Sequence, residues 1–98
     1  MNNIENLLGE YNISDNEYMK IRDIIFETNE EIKNGRTINV GPFEKKILDV
    51  FGGNVIAMNR KIDYHFCEAI TKAFKDDGEC EELFANVYGK MAKYKNVL

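Results

Sequence analysis

Apolar residues recur at helical spacing in five stretches of this chain. Ile4, Leu7, Leu8 and Tyr11 form the first, over residues 2–11. Gly9 weakens it, so this short helix depends on docking to the rest. The second is the clearest. Ser14-Asp15-Asn16-Glu17 fits a capping box, in which the Ser oxygen takes a free amide and Glu17 reaches back. Tyr18, Ile21, Ile25, Thr28 and Ile32 then share one stripe, with Asp23, Glu27 and Glu30 opposite. Asn34-Gly35 supplies the stop, which predicts a helix over 15–34.

Thr37-Ile38-Asn39-Val40 alternates like a short strand. Pro42 then opens a third helix, where a missing amide costs nothing, with Phe43, Ile47, Val50 and Phe51 on its inner face. Gly52-Gly53 ends it. Residues 54–58 are apolar but too short for periodicity to decide. They either lead into the next helix or pair with 37–40 as a two-stranded ribbon. From Asn59 or Asp63 a fourth helix runs to Lys75, with Phe66, Ala69, Ile70, Ala73 and Phe74 inward. The last is predicted from Glu79 to Lys93, with Leu83, Phe84, Val87, Tyr88 and Met91 inward. The pattern predicts an all-α fold: a bundle of four to five short helices in a single domain over 1–98. The ribbon of 37–40 with 54–58 is a minor variant of it.

Ninety-eight residues suit one core, and 44% hydrophobic with 31% charged is globular composition. The net charge of −4 disfavours general binding to phosphate backbones. Its distribution is uneven. Residues 1–34 carry eight acids against three bases, 35–75 seven bases against four acids, and 76–98 five acids against three bases. Abundant Asn, Lys, Ile and Glu without Trp resemble the output of an AT-rich bacterial coding sequence, often a phage or mobile element.

The densest charge lies between the last two stripes. In Asp76-Asp77-Gly78-Glu79-Cys80-Glu81-Glu82, five of seven residues are carboxylates. One or two acids at a helix start complement its dipole, at about 0.3–1 kcal/mol each. Five exceed that need, and like charges so close repel. Glu27, Glu30 and Glu31 on the second helix are same-sign neighbours and add to the acidic set.

Other chemistry is thin. Cys67, Cys80 and His65 match no zinc spacing, and Asp-Asp-Gly-Glu lacks the alternating ligands of a calcium loop. On a helix Cys67 points away from His65, against a nucleophile pair. Gly52-Gly53 is not followed by the residues of a phosphate loop. Lys45, Lys46, Arg60 and Lys61 are a thin basis for DNA reading, because the neighbouring helix carries core residues Phe66, Ile70 and Phe74. No catalytic residue, metal or cofactor is expected. No stretch approaches the roughly 18 apolar residues of a membrane span, and the N-terminus lacks a signal-peptide pattern, so the expected compartment is the cytoplasm.

A short, acidic, non-enzymatic binding protein fits this profile. It resembles in type the inhibitors that neutralise a basic partner, such as immunity or antitoxin proteins facing a bacterial nuclease toxin. The expected contact set is Asp76, Asp77, Glu79, Glu81 and Glu82, with Glu27, Glu30 and Glu31. The alternative is a small phage or mobile-element regulator acting on nucleic acid or through a DNA-binding partner. Ile24, Phe26, Leu48 and Ile56, outside the main stripes, leave a homodimer open.

Overall fold

Five helices make up the described part of the chain, residues 2–52 and 62–91 of a computed structural model. They are α1 (Asn3–Glu10), α2 (Asp15–Lys33), α3 (Val40–Asp49), α4 (Tyr64–Asp76) and α5 (Glu81–Val87). The fold is all-α, and no strand occurs among the described residues. Residues 37–40 carry no ladder; Val40 already belongs to α3. The proposed ribbon partner, 54–58, lies outside the described residues.

Local chemistry sets the helix ends. Ser14 Oγ accepts from Glu17 N (3.2 Å) and Glu17 Oε1 accepts from Ser14 N (3.0 Å), completing the capping box. Pro42 stands third in α3, still among the amides that lack an intrahelical acceptor. Three helices end in the same left-handed turn. After α2, Gly35 (φ 92°) donates to Ile32 O and Arg36 N to Glu31 O. After α4, Gly78 (φ 85°) donates to Lys75 O and Glu79 N to Phe74 O. After α1 the same pattern uses Asn12 (φ 55°), an Asn in place of Gly. Its hydrophobic partners, Leu8 and Ile13, both lie half-buried on the core.

α4 is the centre of the bundle, with α1, α3 and α5 packed on it. Its inner face is wider than the sequence stripe. Cys67 and Thr71 are fully buried alongside Phe66, Ile70 and Phe74. Thr71 Oγ1 donates to Cys67 O (2.8 Å), so the buried hydroxyl is satisfied within its own helix. Phe66 meets Tyr11, just past the end of α1, and Phe51 edge-on, at 5.0 and 5.7 Å between centroids. Phe74 stacks on Tyr18 and meets Phe26 edge-on, joining α4 to α2. Ile21, Ile25 and Thr28 of α2 are buried as the stripe predicts.

The last helix is shorter than expected. It stops at Val87, where Gly89 N turns back to Phe84 O and Ala85 O. Met91 is therefore exposed rather than inward. Residues 92–98 lie outside the described residues. Ile24, Phe26 and Leu48 are half-buried against their own core, and Ile56 lies outside the described residues.

Truncating the central ring should cost most. Phe66→Ala is expected to destabilise the fold by about 3–5 kcal/mol in denaturant titration, against about 1 kcal/mol for Ser14→Ala.

Candidate functional site

The acidic run is divided by the turn that ends α4. Asp76, in the last turn of α4, pairs with Lys72 (2.7 Å) and Lys75 (3.8 Å) of the same helix. Asp77, expected in an outward display, instead clasps the start of α1. Its Oδ1 accepts from Asn3 N (3.1 Å) and Asn3 Nδ2 (2.9 Å), and its Oδ2 from Ile4 N (3.1 Å). Partial desolvation raises the Asp77 pKa. The amides of Ile4 and Asn3 and the Asn3 side chain outweigh this and hold it below the ordinary carboxylate value.

Beyond Gly78 the chain does something different. Cys80 adopts the left-handed region at φ 53°, ψ 41°, a conformation that costs a non-Gly residue roughly 1–2 kcal/mol. It precedes α5 with no side-chain cap of its own. The cap comes from across the bundle: Asn29 of α2, 5% exposed, accepts from Leu83 N through Oδ1 at 2.8 Å. That bond ties α5 to α2 at one point, and the 78–82 turn stands off beside it. Between them lies an open cavity of about 390 Å³.

One wall of the cavity is a helical stripe of α2, Phe26, Asn29, Glu30 and Lys33. The other is the run from Gly78 to Glu82. The structure thus brings Glu30 to the same concavity as Glu79, Glu81 and Glu82. Among these acids, the ion pair seen within the described residues is Glu30 with Lys33, at 3.7 Å on an exposed surface. Glu27 is exposed on α2 but does not line the cavity. Glu31 pairs with Arg36 (3.3 Å) and lines a smaller concavity of about 120 Å³ with Ile38, Pro42, Phe43 and Lys46.

Other reactive groups are held quiet. Burial, then Glu44 and Asp63, push the Cys67 thiol up to about 12. Burial and the surrounding glutamates push Cys80 to about 11, so neither is a thiolate at neutral pH. His65 is exposed beside Asp63 (3.5 Å), while Cys67 lies buried with Sγ toward Glu44 O. Tyr88 donates to Glu44 Oε2 at 2.8 Å, and burial followed by this bond raises its phenol. Among the described residues no group of three His, Cys, Asp or Glu side chains is placed to hold a metal ion. Of the basic residues, Lys45 is bonded to Asp49 (2.9 Å), and Arg60 and Lys61 lie outside the described residues. No helix among the described residues is long and apolar enough to cross a membrane.

No family model, curated protein or solved structure matches this chain. The cavity's geometry and charge therefore stand as the basis for a functional reading.

Sequence reasoning missed Asn29. Its signal was its place four residues after Ile25, on the edge of the buried stripe, where a polar side chain needs a partner.

Two outcomes test this geometry. Asn29→Leu should leave the Leu83 amide without its acceptor and cost about 1–3 kcal/mol by denaturant titration. Asp77→Asn should raise hydrogen exchange in residues 5–10 more than in α2. In the wild type, Asp77 has a folded pKa below its unfolded value. Its contribution is thus present above the ordinary carboxylate pKa and is lost as pH falls through the folded one. Exchange in α1 should therefore rise below about pH 4 in the wild type, with a smaller acid-induced rise in Asp77→Asn.

Proposed function

We propose that this protein is a non-enzymatic binding protein that inhibits a basic protein partner by covering it with the acidic face of α2 and the 79–82 segment. The observation that supports this reading best is the convergence of Glu30, Glu79, Glu81 and Glu82 on one concavity, with Lys33 the one ammonium among the described residues on its walls. Glu27 extends the face along α2. Asp76 and Asp77 are assigned to holding α4 and α1, because their carboxylates are engaged within the molecule. An immunity or antitoxin role against a toxin with a cationic cleft, such as a nuclease, is the concrete form of the proposal.

The mechanism is occlusion. Carboxylates arranged on one side attract a cationic surface over roughly a Debye length, which speeds encounter and orients the partner. Affinity then comes from desolvated contacts, for which half-buried Phe26 at the cavity wall is suited.

The test is kinetic. A partner captured from the source cell is purified, and its association rate is measured against salt with wild type and with Glu30→Gln, Glu79→Gln, Glu81→Gln and Glu82→Gln combined. The combined variant should associate about tenfold more slowly at low salt, with a flatter salt dependence. An unchanged rate and slope would remove the acidic face from the mechanism.

A further inference from the structure

The cavity carries a second feature independent of its acidity. Asn29 must present Oδ1 to Leu83, because a backbone N–H needs an acceptor, and this fixes the orientation of the whole carboxamide. Its Nδ2 then has no acceptor among the described residues, although the residue is 5% exposed and lines the cavity. Nor is that nitrogen sealed from solvent, so the opening available to it is the cavity. A nearly buried donor at a wall otherwise rich in carboxylates suits a ligand with two parts: a cation and a neutral acceptor.

A bare metal ion does not fit, because among the described residues the carboxylates line the space without bringing three ligands together. A basic amino-acid residue does. Its charged head meets the glutamates, its aliphatic stem has Phe26 to lie against, and its own main-chain carbonyl supplies the acceptor. The volume of about 390 Å³ falls within the ~300–1,000 Å³ of ordinary ligand pockets.

We propose that the cavity between α2 and residues 78–82 receives one basic side chain of the protein partner, with that residue's carbonyl oxygen accepting from Asn29 Nδ2. This rests on the acidic face being the docking surface, and it names the anchor within it. Lys33 is a rival cation: it lies 3.7 Å from Glu30 on an exposed surface and competes with an incoming charge.

The test uses the full chain, labelled with nitrogen-15, and small probes followed by NMR. Acetyl-arginine methylamide and acetyl-lysine methylamide should give saturable shifts at the Asn29 side-chain amide and at the Cys80 and Leu83 backbone amides. Butylguanidinium has the charge without the carbonyl, and should bind about three- to tenfold more weakly. Acetyl-citrulline methylamide has the shape and carbonyl without the charge, and should give no saturable shift. Lys33→Gln should tighten binding of the arginine probe.

Non-saturating shifts, an unmoved Asn29 side chain, or equal binding of butylguanidinium would overturn the proposal. The wider reading fails separately. Slower partner association in the fourfold glutamine variant, with no probe binding in the cavity, keeps the docking face and removes the anchor. Specific probe binding with unaltered association kinetics keeps the cavity's selectivity and removes the inhibitor mechanism.

Discussion

Burial of one broad face of α4, from Phe66 and Cys67 to Phe74, is the constraint from which the rest follows. A face shared among several neighbours has little room for polar groups, and α4 meets this with Phe66, Ile70 and Phe74 at its contacts and a hydroxyl returned to its own backbone. α1, α3 and α5 each use α4 as a platform. α2 reaches it through aromatic side chains, Tyr18 and Phe26 on Phe74. The left-handed turn at Gly78 ends α4 and sets the direction in which the chain leaves it.

That exit concentrates several tasks in few residues. Asp77 holds α1, Gly78 reverses the chain, and Cys80 bends it again so that Leu83 can reach Asn29. The carboxylates of Glu79, Glu81 and Glu82 are carried along by this backbone path. Their meeting with Glu30 is thus a product of turn geometry, together with the packing of α5 on α2 and the buried carboxamide that joins them.

Much of the fold was legible because period and caps agreed. The Ser14–Glu17 box, the Ile21–Ile25–Thr28 stripe and Gly35 all pointed to one helix, and the structure contains it. The end of α5 was not legible: Val87, Tyr88 and Met91 continue a helical spacing that Gly89 interrupts. The acidic run was conspicuous as composition, yet composition does not tell a capping carboxylate from a free one. Asp77 and Glu79 stand two residues apart and differ entirely in use, because one faces a helix start that is 74 positions away in sequence. Asn29 showed its place on the edge of the buried stripe but not its partner, which is 54 positions off.

The Asp77 clasp also bears on the order in which the molecule assembles during synthesis. α1 leaves the ribosome before α4 and has no seat until α4 and the turn behind it have emerged. Closing so long a segment carries an entropy cost that grows only as (3/2)RT ln n, so docking is slow to become available yet inexpensive once it is. Meanwhile Ile4, Leu7, Leu8 and Tyr11 remain uncovered in the nascent chain. α1 is therefore made well before the surface that covers it, and its apolar face waits on the later helices for protection.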